Sequence, residues 1–187
     1  NIVKSLPIGY KLYVKEHPMM SIRNWRRISE YRSMMNLPNV RLIHPSVSSA
    51  ELIKNCSLVM TISGTSGLEA AFYKKPTIVF SSIDYDLLPS VHKVEKIEEL
   101  PNIIRKSLDY QVEPIHLSKY LEFLEKNSFE IDMNHMILDI ENTFHSGGFL
   151  VDIEISKEKM KNFLQRHSKT FELLGNEYIK KIIQCKK

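Results

Sequence analysis

The chain has 187 residues, which suits one domain or one domain with an appendage. Hydrophobic residues make up 43%, charged residues 26%, and the formal net charge is a mild +4. The basic residues form no stripe interleaved with stacking aromatics, so the pattern argues against nucleic-acid binding, while weak attraction to anionic lipid or to an anionic polymer stays open. Cys56 and Cys185 lack metal-ligand spacing and fit a reducing, cytoplasmic compartment. We expect no metal and no cofactor.

The first residues read as the end of a helix, Ile2 to Leu6. Four short apolar segments, bounded by Pro or Gly, then predict strands. Amphipathic segments between and after them predict helices, and Pro101 fits the last of these only in its first turn. Because short strands alternate with helices, we expect a Rossmann-like α/β fold whose parallel sheet is covered on both faces. The predicted strands are Lys11–Lys15, Val40–His44, Leu58–Thr61 and Thr77–Phe80; the helices are Arg23–Met35, a short one after Ser48, Leu68–Tyr73 and Ile97–Leu108.

The pattern changes after about Val112 and becomes mainly helical. Helices are predicted over Lys157–Phe163 and Lys169–Ile183, and a short strand over Phe149–Ile155. The predicted domains are therefore residues 1–112, an α/β lobe, and residues 113–187, a helical extension. Because the chain begins with Asn1 rather than Met, we expect it to be a fragment of a longer protein.

The sharpest chemical signal is the turn from Thr61 to Glu69. Its small residues, Ser63, Gly64, Thr65 and Ser66, let a ligand approach the backbone, and the start of the following helix favours a phosphate. A capped strand-to-helix turn explains the same residues without a ligand. The carboxylate of Glu69 can interact favourably with the helix dipole, or it can accept a hydrogen bond from a sugar or ribose hydroxyl.

A second polar motif, Lys15-Glu16-His17-Pro18, directly follows the first predicted strand. Lys15 supplies charge, His17 can donate to a phosphate oxygen, and Pro18 restricts the backbone of His17. Since parallel strands end at one sheet edge, this motif and the turn can converge on one ligand. His44 is a weaker candidate, for contact with a nucleobase. The segment Asp84-Tyr85-Asp86 is interpreted as a solvated loop rather than as a set of hydroxyl acceptors. No metal site or nucleophile triad is predicted.

Five segments carry a family resemblance through their sequence and their order along the chain: Lys11–Pro18, Leu37–Ile43, Ser49–Asn55, Leu58–Ala71 and Lys75–Phe80. Together they resemble the bacterial capsule polysaccharide biosynthesis family, which comprises GT-B-type glycosyltransferases related to Kdo transferases. The resemblance covers roughly residues 7 to 105 of the sequence.

The resemblance implies the C-terminal donor-binding lobe of such an enzyme. His17 and Pro18, with Ser63, Gly64, Thr65 and Ser66, would hold a nucleotide-sugar donor, often a CMP-sugar, and Glu69 matches the acidic position after the turn. The catalytic residues stay unknown, because the family's acceptor-side lobe usually provides the base. The implied partners are a glycan or glycolipid acceptor, and peripheral contact with the inner face of the membrane or with other capsule-assembly proteins.

Two alternatives stay open. One is a CDP-glycerol or CDP-ribitol phosphotransferase of teichoic-acid assembly, although those enzymes typically carry an Asp-Tyr-Ser-Ser turn where this chain has Ser63 to Ser66. The other is a non-catalytic module that binds a nucleotide or a partner enzyme.

Overall fold

The computed structural model describes residues 1–17, 26–145 and 154–185. The chain divides into two compact units, Asn1–Leu124 and Glu125–Lys187. The expected functional division after residue 112 stays a prediction. The described α-helices and β-strands that begin in the first unit are, in chain order, α1 (Ile2–Ser5), β1 (Leu12–Lys15), α2 (Ile28–Met35), β2 (Val40–Ile43), α3 (Ser49–Asn55), β3 (Val59–Thr61), α4 (Ser66–Phe72), β4 (Thr77–Val79), β5 (Val91–Lys93), α5 (Leu100–Asp109) and α6 (Pro114–Asn127), which continues into the second unit.

All described strands pair in parallel, but they form two sheets. β1 pairs with β2, and β4 lies between β3 and β5. The four predicted strands are present, and β5 is a fifth that the sequence did not indicate. Its three residues, Val91, His92 and Lys93, include two polar ones, so no apolar run marks it. The α/β class is confirmed, whereas the strands form one sheet of β1 and β2 and another of β3, β4 and β5 instead of the expected single sheet.

Helices cover both faces of the three-stranded sheet, because neighbouring residues of a strand point to opposite sides. Ile78 of β4 is fully buried with Leu100 and Ile104 of α5. Val79, the next residue, packs with Ala71 of α4 and with Tyr85. The prediction of a sheet buried on both faces is thus confirmed for this sheet.

The ends of the helices follow local chemistry. The Ser48 side chain accepts a hydrogen bond from the amide of Glu51, which starts α3 as predicted. Pro101 lies in the first turn of α5, where its missing N–H costs nothing. After α4, Lys74 adopts a left-handed φ of 55°, and the amide of Lys75 returns to the carbonyl of Ala70 at 2.9 Å. This reversal directs the chain into β4.

The second unit is helical where the structure describes it. It contains α7 (Met133–Phe144), α8 (Lys157–Arg166) and α9 (Ser168–Cys185), so the two predicted tail helices are confirmed and extended. Met136, Phe144 and Phe163 form its small core. Of the predicted strand Phe149–Ile155, residues 149–153 lie outside the described residues, and the last two have no regular structure. None of the helices in the described ranges is long and apolar enough to cross a membrane.

A polar network links α7 to the end of α8. The Asp139 carboxylate accepts hydrogen bonds from Arg166 at 3.0 and 3.1 Å and from Thr143 at 3.1 Å. Its Oδ2 also lies 2.7 Å from Nε2 of His167, which is only 3% exposed. Arg166, followed by His167 and Thr143, lowers the pKa of Asp139 from 3.8 to about 2.

This network makes the second unit sensitive to acid. Because folding lowers the Asp139 pKa, the carboxylate stabilises the fold fully above about pH 4, and this contribution is lost as the pH falls from 4 through 2. Asp139→Asn should therefore lower the thermal midpoint at pH 6 and flatten its pH dependence in that window. Circular dichroism melts at successive pH values measure this. Glu158→Gln, at an exposed residue of α8, is the control, and equal pH profiles for the two variants would contradict the assignment.

Candidate functional site

The turn between β3 and α4 is held by hydrogen bonds between its own residues and by one hydrogen bond from the segment after β4. The amide of Gly64 donates to Oγ1 of Thr61 at 3.0 Å, and the amide of Gly67 donates to the carbonyl of Gly64 at 3.2 Å. The hydroxyl of Ser81, at the end of β4, donates to the carbonyl of Ile62 at 2.8 Å. The turn therefore has a defined conformation without a ligand.

Tyr85 supports this turn from the core side. It is 2% exposed, and its hydroxyl donates to the carbonyl of Gly64 at 2.6 Å. A Cβ at Gly67 would lie 2.3 Å from the same hydroxyl oxygen, so only glycine allows this approach. Thr77 completes the support, because its hydroxyl donates to the carbonyl of Gly67 at 3.0 Å. Burial, and then the charge of Asp84, raise the pKa of Tyr85, which keeps the phenol protonated as a donor.

The interpretation of residues 84–86 as a solvated loop was wrong. Asp84–Leu87 is a 3₁₀ helix, in which the Asp84 carboxylate accepts from the amide of Tyr85 at 3.0 Å and Asp86 from the amide of Ile83 at 3.4 Å. These bonds turn the aromatic ring inward. The one signal in the sequence was Tyr85 itself, because a Tyr side chain is buried more often than the Asp side chains on either side of it.

Several donors of the turn are unused. Among the residues that the structure describes, no hydrogen bond engages the amides of Thr65 and Ser66 or the hydroxyls of Ser63 and Ser66. Ser63, Gly64 and Thr65 are exposed, and Ser66 is half-buried. Unused amides at the start of a helix, together with hydroxyl donors, are the groups that bind an oxyanion such as phosphate.

Thr65 and Glu69 form a pair of their own. The Thr65 hydroxyl donates to Oε1 of Glu69 at 2.9 Å. Its single proton is thus already used, and donation to a phosphate from this hydroxyl requires that bond to exchange. The second carboxylate oxygen of Glu69 keeps its acceptor capacity for a hydroxyl group.

The second motif lies at the end of a different sheet. Lys15 is the half-buried last residue of β1, His17 is exposed, and Pro18 lies outside the described residues. Glu16 forms an ion pair with Arg26. Within the described ranges, no hydrogen bond or ion pair joins Lys15 to the turn, and convergence of His17 on the turn stays a prediction. The same holds for His44, whose Nδ1 lies 2.7 Å from the Ser46 hydroxyl.

The other histidines with resolved contacts are structural. His92 of β5 lies 2.7 Å from the hydroxyl of Ser107, which is fully buried and itself donates to the carbonyl of Ile103. Burial lowers the pKa of His92, so the ring stays neutral and ties β5 to α5. Within the described ranges, no group of three or more His, Cys, Asp or Glu residues is placed to hold a metal ion.

The fold and the turn define an α/β protein whose open site is suited to an anion. Residues 2–88 match the model of a family described as capsule polysaccharide biosynthesis protein. The matched segment contains both polar motifs and ends just after the Tyr85 support, and it supports a role in capsule polysaccharide biosynthesis. No curated protein and no solved structure matches the chain.

The close approach of Gly67 to Tyr85 predicts a strong response to one added methyl group. Gly67→Ala should lower the free energy of unfolding by about 1–3 kcal/mol, because its Cβ collides with a buried side chain. Gly175→Ala is the control: this glycine lies inside α9 with nothing within 4 Å of its Cβ position, so the change should stabilise by up to about 1 kcal/mol. Urea unfolding measures both, and a neutral Gly67→Ala would refute the tight contact.

The hydrogen bond from Tyr85 to Gly64 can be separated from the packing of the ring. Tyr85→Phe should lower the free energy of unfolding by about 0.5–1.5 kcal/mol and speed amide exchange at Gly64 and Gly67, whose amides are hydrogen-bonded within the turn. Tyr120→Phe is the matched control, because Tyr120 is also buried but its hydroxyl has no hydrogen-bond partner among the residues that the structure describes. Hydrogen exchange followed by mass spectrometry measures the turn. If the two variants behave alike, the Tyr85 hydroxyl does not hold it.

Proposed function

We propose that the first unit binds a nucleotide-sugar donor, with a CMP-sugar favoured, as the C-terminal lobe of a GT-B-type glycosyltransferase of capsule or surface polysaccharide synthesis. The observation that carries the proposal is the preformed turn with unused donors at Ser63, Thr65 and Ser66, inside the segment matched by the capsule family. We further propose a cytoplasmic reaction, in keeping with two free thiols.

In this proposal the turn binds the phosphate nearest the sugar. The hydroxyls of Ser63 and Ser66 and the amides of Thr65 and Ser66 offer four donors, and backbone amides need no reorganisation when charge develops. From the end of β1, Lys15 would add positive charge and His17 would donate a hydrogen bond to a phosphate oxygen. Glu69, fixed by Thr65, would accept a hydrogen bond from a ribose or sugar hydroxyl.

The chemical step follows from these roles. As the bond between the sugar and the phosphate breaks, negative charge collects on the departing nucleotide, and the turn donors with His17 stabilise it. A glycan or glycolipid hydroxyl attacks the sugar after losing its proton to a carboxylate. We assign that base to an acceptor-side lobe rather than to the turn, because the role proposed for Glu69, hydrogen-bonded to Thr65, is to bind the donor.

Calorimetric titration of the 187-residue chain with CMP, CDP and UDP tests the proposal. We expect CMP to bind, and Ser63→Ala and Ser66→Ala each to weaken binding about tenfold, since each removes a hydrogen bond to a charged group. His17→Ala should also weaken it. Ser118→Ala is the control, because this exposed hydroxyl lies on α6 and donates to the carbonyl of Pro114.

The pattern of binding distinguishes the alternatives. Preference for CDP over CMP would favour a CDP-glycerol or CDP-ribitol phosphotransferase. Binding that is insensitive to Ser63, Ser66 and His17 would reject the assigned site. The absence of binding by every nucleotide would reject both enzyme proposals and leave a partner-binding module.

A further inference from the structure

Charge is distributed unevenly along the second unit. Residues 125–156 contain seven Asp or Glu and one Lys, whereas residues 157–187 contain nine Lys or Arg and three Glu. Among the described residues, Lys157, Lys159 and Lys161 of α8 form no ion pair, and Lys181 of α9 donates to the neutral amide of Asn127 and so keeps its charge. Lys180 is paired with Glu177. Helices α8 and α9 therefore carry an excess of basic side chains.

The second half of α9 also has an exposed apolar face. Tyr178, Ile179, Ile182 and Ile183 are exposed at 68, 56, 53 and 54%. Their spacing places all four on one side of the helix. The first half of α9 is anchored, because Phe171 lies 6.3 Å, between ring centroids, from Phe163 of the small core. The apolar side thus continues beyond Phe171, where all four residues are more than half exposed.

We propose that α8 and α9 bind the surface of a bilayer that contains anionic lipid, with these four side chains of α9 inserted at the level of the headgroups. Lysine-rich helices with one apolar face bind in this way, and Tyr is favoured at the interface between lipid and water. Charge complementarity favours anionic lipid over a second copy of the chain as the partner. Symmetric pairing of α8 and α9 from two copies would bring their lysines together. The proposal is independent of nucleotide binding.

Co-sedimentation of the chain with vesicles tests the proposal. We expect binding to vesicles of equal parts phosphatidylcholine and phosphatidylglycerol, little binding to phosphatidylcholine alone, and weakening at 1 M salt, where charges are screened beyond about 3 Å. Ile179→Ser with Ile182→Ser should reduce binding at least tenfold, because two apolar side chains no longer leave water. Lys157→Gln with Lys161→Gln should reduce it as well.

Each set of variants has a matched control. Leu173→Ser replaces an exposed apolar residue that lies half a helical rotation away from Ile182, so binding should persist. Lys54→Gln with Lys106→Gln removes the same charge from the first unit, and binding should again persist. Far-ultraviolet circular dichroism verifies that the helices of every variant are intact.

Three results would overturn the proposal. Equal binding to both kinds of vesicle would show that anionic lipid is not recognised, and binding to neither would show that no bilayer is. A dimer in light scattering that Ile179→Ser with Ile182→Ser dissolves, without any vesicle binding, would assign the apolar face to a second copy of the chain.

Discussion

The contact between the Tyr85 ring and the backbone from Gly64 to Gly67 is the constraint on which the candidate site depends. There is no space for a Cβ at Gly67, and the phenol hydroxyl replaces water at the carbonyl of Gly64. The same ring packs with Ala71, Val79 and Tyr120, so one residue connects the turn to α4, β4 and α6. The turn is therefore rigid on its core side while its unused donors remain on the exposed side, which is the division that an anion site requires.

The central strand β4 transmits this order through the first unit. Ile78 and Val79 pack against different helices on the two faces of the strand. Thr77 is nearly fully buried, and its hydroxyl donates a hydrogen bond to the carbonyl of Gly67. No buried polar group is left unpaired at this strand. Since β4 pairs with β3 on one side and β5 on the other, the position of the turn after β3 is fixed relative to the core. The geometry of the site is thus a property of the sheet rather than of the loop.

Sequence reasoning succeeded where local chemistry decides. Apolar runs bounded by Pro or Gly identified four strands, and Ser48 and Pro101 identified helix starts. It failed where a distant contact decides: β5 exists because its backbone completes β4, and Tyr85 is buried because a glycine 18 residues earlier leaves room for its ring. Ser63 and Ser66 were identified as candidate contacts from residue type and from the family resemblance, and their role as donors to a ligand stays a proposal. The bond from Thr65 to Glu69 was not identified, because both side chains had been considered separately as ligand contacts.

The division of the parallel strands into two sheets leaves backbone groups unused along the strands. On the side away from its partner, β1 pairs with no described strand, and neither does β3 on its own far side. Such an edge carries a row of backbone donors and acceptors, and an added parallel strand would extend the sheet there. A polypeptide that supplied such a strand would leave the pairs β1–β2 and β3–β4 intact, because these pairs use the other side of β1 and of β3.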